Sequence, residues 1–400
     1  MMKYIGSTIL IFCGFLAVCE MANATESAVP EPFQRFDATS SHTINYDDLT
    51  AVLNAVVLDV GRSSRERVAP SHAKTGTRMQ TRVQRSTINE GNRFYFETFV
   101  DNEAGQQTLS NIRKSLEQVP ADVPLEYFSR DEQLAYWLNL YNVTVLNEII
   151  AVYPKRDLKK LLQGKNSILS KKLLTVAGVS LSLDDIQFTI LKQNYDNNPL
   201  IIYGLYQGII GGPNIRKTAY SGADVYRALT NNAIEFINSN RGTASRDGRF
   251  RVSSLYERNK EYFPNFNADL TAHLLDYLEG PELTELQAAT TLKPDINDWT
   301  VTDLGGTYRK IGGSIADSNA SLINIVSNAI LDRSAPSSLV SKSGLTGRIS
   351  PALLKHMQEL KMKQEMTPTG IITATATIEE LGEVPVEPDT GPVSESNDNN

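Results

Sequence analysis

Two asparagines stand three residues apart in the run AYWLNLYN at 135–142, among large aromatics and leucines. Asparagine lowers helix propensity, and once buried its amide must find both donors and acceptors. On a helical wheel Asn139 and Asn142 lie about 60° apart, off the stripe formed by Leu134, Trp137, Leu138 and Tyr141. Two roles fit that pattern. The amides could fasten loop backbone to the helix, satisfying buried polar groups. Alternatively they could line a cleft as ligand contacts or oxyanion-type donors. In the fastening role, Asn142, beside Tyr141 at the helix centre, is expected to be the more sensitive to alanine.

Other catalytic constellations do not emerge. His42, His72, His273 and His356 are far apart in sequence, form no H-x-x-x-H pair and have no cysteine ligands beside them, so no metal site is expected. No G-x-S-x-G elbow occurs. GGPNIRK at 211–217 sets glycines near two bases but lacks P-loop spacing. Asp184-Asp185 fits the first-turn acids of a helix. Carboxylate-pair chemistry depends on proximity in space, and nothing local favours it. No cofactor is implied.

The N-terminus explains the two cysteines. MMKYIGSTILIFCGFLAVCEMANATES opens with Lys3, continues through an apolar stretch from Ile5 to Val18 and reaches Ala22-Asn23-Ala24. These are the three regions of a secretory signal peptide, with cleavage expected after Ala24. Its apolar stretch of about fourteen residues falls short of the roughly 20 needed to span a bilayer, so no membrane span is expected after cleavage. LAVC at 16–19 resembles a lipoprotein box, but Val18 is bulkier than the small residue wanted there. The expected location is periplasmic or secreted. Cys13 and Cys19 both lie inside the signal, which leaves the mature chain without thiol chemistry or disulfides.

The net charge of −7 is concentrated at the other end. From Met366 onward there are seven acidic residues and no Lys or Arg, so the body between signal and tail is neutral. A neutral body argues against a general nucleic-acid surface. The tail is rich in Thr, Pro, Glu and Asn and is expected to be disordered.

Between these ends the periodicity predicts a helix over 47–60 and another over 106–116. From Gly61 to Arg93 the apolar pattern fades, and Arg62, Arg65, Arg67, Lys74, Arg78, Arg82 and Arg85 suggest a solvated loop or, alternatively, a docking loop. Ser129 to Glu132 matches a capping box and opens the Asn-bearing helix, which should end before Tyr153-Pro154. KLLTVAGVSLSL at 172–183 predicts a hairpin turning at Ala177-Gly178, and Ser182 to Asp185 is a second capping box. LIIYGLYQGIIGGPN at 200–214 is expected to be a buried strand entering a tight loop. Helices are expected over 221–238, 268–278 and 351–363, with a strand over 249–255.

FSRDEQLAYWLNLYNVTVLNEIIAVYP resembles the signature of the domain of unknown function 547 family, a W-x-N-x-Y-N helix ending near proline. LTVAGVSLSLDDIQFTILK is similar to that family's hairpin and helix, which typically ends I-E-H-x-x-L-R. LIIYGLYQGIIGGPNIR is similar to its segment H-F-x-x-x-C-G-x-x-x-C-P-P-x-R. The resemblance is close over 125–240 and weaker across 46–310. It retains Gly208, Pro213 and Arg216. It departs where the family shows Glu-His, here Gln187-Phe188, and at the strand histidine, here Ile202. The two family cysteines become Gln207 and Gly212. Any thiol–imidazole mechanism requires a nucleophile and a base, and neither remains at these positions.

The expectation is a single α+β domain, mostly helical, with a small sheet near 172–183 and 200–208. Its parts would be a signal peptide at 1–24, a linker at 25–45, the family-like domain at 46–330, a helical extension at 331–365 and the acidic tail at 366–400. By function the chain is expected to be a non-catalytic exported binding or scaffolding protein, its partner an unidentified ligand or an envelope protein. The alternative is a hydrolase or transferase with a polar, cysteine-independent site. Candidate cleft residues are Asn139, Asn142, Gln207, Gly208, Gly212, Pro213 and Arg216.

Overall fold

Short strands and helices alternate along the chain in the computed structural model, which describes residues 28–63, 65, 87, 90–246, 248–304 and 378–380. Strand β1 (His42–Ile44) leads into α1 (Asp47–Val56), whose first turn carries Asp47 and Asp48 where acids complement the helix dipole. β2 (Val57–Leu58) pairs antiparallel with β3 (Arg93–Phe94). α2 (Glu103–Asp122) begins at Asn102, whose side chain accepts from Gly105 N. Next come α3 (Arg130–Ile150), α4 (Lys159–Gln163) and the hairpin β4 (Leu174–Val176) and β5 (Val179–Leu181). A π-helical stretch, Asp185–Leu191, continues into α5 (Lys192–Asn194). After α6 (Val225–Ile237) come β6 (Thr243–Arg246), β7 (Arg249–Ser253), α7 (Ser254–Arg258), α8 (Phe266–Leu275), α9 (Pro281–Ala288) and β8 (Leu292–Ile296). β9 (Ile378–Glu380) pairs antiparallel with β1. The architecture is mostly helical α+β with small sheets, as the periodicity and turn signals predict.

α3 sits at the centre. Ser129 accepts from Glu132 N at 3.2 Å, the first half of the capping box. The second half goes elsewhere. The Glu132 carboxylate accepts from Ile44 N at 3.1 Å and Gly222 N at 2.9 Å, tying strand β1 and a distant loop to the helix start. Instead of a single apolar stripe, α3 buries every residue from Glu132 to Leu146. It packs on α2, α6, β1 and the π-helical stretch, so no face is left to water. Trp137, Tyr136 and Tyr141 are fully covered, each contributing about 2–3 kcal/mol by removing apolar surface from water.

The predicted strand at 200–208 differs. Residues 200–208 are not a strand. Pro199–Gly204 is a 3-10 helix, started by Pro199 and capped by Asn198, which accepts from Leu200 N at 3.0 Å. A run buried on all sides has no periodicity with which to distinguish the two states. Strand-like pairing occurs further on, where Ile209 bridges Val301 and Ile210 N donates to Thr300 O at 2.9 Å. The largest sheet among the described residues is therefore β6-β7-β8, antiparallel then parallel, and not one built on 200–208. The hairpin forms where predicted, with positive φ at Ala177 (47°) and Gly178 (76°), the geometry its two-residue turn requires.

The expected disorder of the acidic tail gives way at β9, where Ile44 aligns with Ile378. A short edge strand offers unpaired amides and carbonyls that an extended segment can use. Within the basic loop Arg65 is no solvated side chain. It donates to Thr243 O at 2.9 Å and Ile237 O at 3.1 Å, and lies 3.6 Å from Glu282. The signal peptide, most of the basic loop, the helix expected at 351–363 and the rest of the tail lie outside the described residues. Among the described residues no helix is long and apolar enough to cross a membrane.

Candidate functional site

Both asparagines of α3 clamp backbone. Asn139 Nδ2 donates to Tyr220 O at 2.8 Å while its Oδ1 accepts from Tyr220 N at 2.9 Å. Asn142 Nδ2 donates to Gly204 O at 2.9 Å, and its Oδ1 accepts from Tyr206 N at 2.9 Å. Each side-chain amide thus acts as one rung of a strand ladder toward a loop that has no strand beside it. Asn139 is 2% exposed and Asn142 9%, so burial alone favours Asn139 as the more sensitive of the two.

A small hollow of about 10 Å³ lies alongside, enough for roughly one water. Leu49 and Leu53 of α1, Asn139 and Asn142 of α3, and Arg216 and Tyr220 of the following loop line it. The Arg216 guanidinium lies over the Tyr220 ring at 4.7 Å, and its Nη2 is 3.7 Å from the Asp224 carboxylate. Its Nη1 is buried without a hydrogen-bond partner. Burial pushes the Tyr220 phenol up to about 12, opposed by Arg216 and by the hydrogen bond from Asn232. Three of the candidate residues, Asn139, Asn142 and Arg216, therefore meet at one place.

The other candidates gather on a neighbouring loop. Gly208 adopts φ +70°, which favours glycine, and a Cβ there would press on Ile149 Cδ1, so that side chain would have to shift. Gln207 Oε1 accepts from Arg258 Nη2 at 3.0 Å. Gly212 O accepts from Arg241 Nη1 at 2.8 Å, and Arg241, 1% exposed, is paired with Glu235. Pro213 is buried in the same loop. Gln187, on the π-helical stretch, donates to Asn259 Oδ1, and its carbonyl accepts from Tyr262 Oη at 3.0 Å. Ile202 is part of the apolar core.

Residues 125–237, just over a quarter of the chain, match the family model described as protein of unknown function, DUF547. This segment is similar to the DUF547 family. The matched segment contains α3 with both asparagines and the whole loop from Gln207 to Arg216. No curated protein and no solved structure matches the chain.

Several residues around the DUF547 segment have no local sequence signal. Arg258, at the end of α7, lies outside the matched region and against Gln207. Its guanidinium covers the Trp299 ring at 4.7 Å. Arg241 and Glu132 likewise act over long sequence separations. His273 is buried, with Nε2 2.9 Å from the Tyr203 hydroxyl, and burial lowers it to about 4. It belongs to an aromatic cluster with Tyr256 and Phe263 and not to the Gln207 loop.

Proposed function

We propose that this chain is an exported, non-catalytic binding or scaffolding protein of the cell envelope. One observation carries the non-catalytic part. At the positions where the resemblance expects a thiol and an imidazole, the side chains are Gln187, Phe188, Ile202, Gln207 and Gly212, and both glutamines are already hydrogen-bonded to neighbours across the fold. No side chain among these five can act as nucleophile or base at neutral pH. The competing reading, a hydrolase or transferase using Asn139, Asn142, Gln207 and Arg216, has less support. Both asparagine amides direct donor and acceptor alike to backbone, which leaves Arg216 as the group with capacity to spare.

Export is supported by the charged start, the apolar stretch and the A-x-A site taken together. N-terminal sequencing of the mature protein should begin at Thr25, and a product retaining Met1 would reject export. For the catalytic question, the mature protein is incubated with amide, ester and glycan libraries, and no turnover is expected. Turnover that Arg216→Met abolishes, in a variant melting with the parent, would establish the enzyme instead.

A further inference from the structure

The neutrality of the body conceals an uneven distribution of charge. KRDLKKLLQGKNSILSKK at 155–172 carries six lysines and one arginine against a single acid, Asp157. The segment follows α3 and contains α4. Its apolar residues Leu158, Leu162 and Ile168 are buried in the core. Leu158 N donates to Trp299 O at 3.0 Å and Val301 N to Arg156 O at 2.9 Å, which fastens the segment to the chain after β8. Ile168 N donates to Leu161 O at 3.0 Å and so folds its two halves onto each other.

With the backbone held in this way, the lysines are left outside. Lys155, Lys159, Lys160, Lys165 and Lys171 are all exposed, and among the described residues none of them is paired with a carboxylate. Asp157 is engaged locally, its Oδ1 accepting from the backbone N of Lys159 at 2.8 Å. At the far end Lys172 lies 2.5 Å from Asp185, and the neighbouring Asp184 N donates to Leu169 O. Solubility is served by charges of both signs interspersed, whereas a field of one sign repels itself and works against the compact state. Inside the fold these five ammonium groups meet no counter-charge, so the complement has to come from a partner of negative charge.

The residue types indicate which partner. Arginine offers a planar fork that fits one carboxylate or phosphate, while lysine is a point charge on a flexible stem. Lysines spread along a fixed segment suit many mobile anionic groups better than one bound ligand. Clusters of about four to eight such cations draw proteins to anionic lipid headgroups. Val152 and Pro154, both exposed, stand at the edge of the segment and add apolar surface. A single-stranded nucleic acid would call for aromatic side chains on which bases stack. Tyr153 is the one aromatic residue between 151 and 172, and it is occupied by Asp303 and by the Phe96 ring. We propose that residues 155–172 form a peripheral docking surface for an anionic lipid bilayer, with the lysines at the headgroup phosphates. The inference rests on the export reading, which sets the chain beside the envelope membranes, and it names the partner.

The test is co-sedimentation of the mature protein with phosphatidylcholine vesicles containing about one-third phosphatidylglycerol, against phosphatidylcholine alone. Partition onto the anionic vesicles only is expected, with release in about 1 M sodium chloride, where the screening length falls to about 3 Å. Each lysine near such a surface is worth about fivefold in affinity, so Lys155→Gln, Lys159→Gln and Lys160→Gln together should weaken partition by about a hundredfold. Their melting temperature should not fall, because none of the three has a partner to lose. Arg249→Gln, Lys260→Gln and Lys293→Gln, which remove three exposed charges elsewhere, should leave partition unchanged. Absence of partition, equal partition onto neutral vesicles or full partition by the first triple variant overturns the surface. So does binding to polyphosphate in solution without partition, which would assign a polymer. Partition that appears only with Glu383→Gln, Glu387→Gln and Asp389→Asn also overturns it, by assigning the lysines to the chain's own acidic tail. Retention of Met1 would reject export alone, and the vesicle result would still decide the surface.

Discussion

Replacing Asn139 by alanine tests the clamp directly. The change deletes two hydrogen bonds of 2.8 and 2.9 Å and strands both the N–H and the C=O of Tyr220, a residue 3% exposed. Leaving one buried polar group unsatisfied costs about 1–3 kcal/mol, so two could cost about 2–6. The hollow beside Asn139 has room for about one water, which can serve one of the two stranded groups. The expected loss is therefore about 2–4 kcal/mol for Asn139→Ala and slightly less for the more exposed Asn142→Ala. Urea denaturation followed by circular dichroism measures it, with Asn111→Ala, on the exposed face of α2, as a control expected to stay within about 0.5 kcal/mol. Asn139→Asp adds a test of mechanism at nearly constant shape. It keeps the acceptor for Tyr220 N but sets a carboxylate oxygen against Tyr220 O. That opposition raises its folded pKa, so this variant should regain stability as pH falls and a proton restores the donor. Alanine variants as stable as the parent would refute the clamp and promote the cleft.

Glu132 is held above its ordinary 4.5 by burial, although two backbone N–H groups oppose the shift. A raised folded pKa favours stability at low pH and loses it as pH climbs through the folded value, so Glu132→Gln should flatten the slope of stability between pH 4.5 and neutrality. An unchanged slope would remove Glu132 from the account. His273 acts in the opposite sense. Depressed from 6.5 to about 4, it should cost up to about 3 kcal/mol as pH falls through that interval, and His273→Phe should abolish this contribution in denaturation curves at pH 7 and 4.5. Gly208→Ala should destabilise by about 1–3 kcal/mol through its positive φ and the contact with Ile149. Ile149→Val should recover part of that loss in a double-mutant cycle, and simple additivity would show that the contact is not the cause.

Legibility in the sequence followed distance along the chain. The hairpin at 174–181, the caps at Ser129 and Ser182 and the helical nature of α3 depend on neighbours within a turn or two, and each is where the residue pattern places it. Glu132 shows the limit. The capping-box rule sends its carboxylate back to Ser129, but two amides far away in sequence compete for the same oxygens and win. The 200–208 run failed for another reason, since burial on every side removes the alternation by which a strand is recognised. The Asn pair was legible as two roles, and only the positions of Gly204, Tyr206 and Tyr220 in space select the clamp. Arg258 could not be placed against Gln207 and Trp299 from sequence, because nothing in LYERN marks its arginine as reaching so far along the chain.

A helix with no outward side also constrains how such a chain can drift. On an amphipathic helix roughly half the positions can vary without disturbing a neighbour, because they face water. Along Glu132–Leu146 there is no such freedom, and each replacement has to be matched by a change in α2, α6 or a clamped loop. The loop from Gln207 to Pro213 shares that restraint, because Gln207, Gly208, Gly212 and Pro213 are buried as well. Such a helix can stay recognisable in the sequence after less tightly packed segments have diverged.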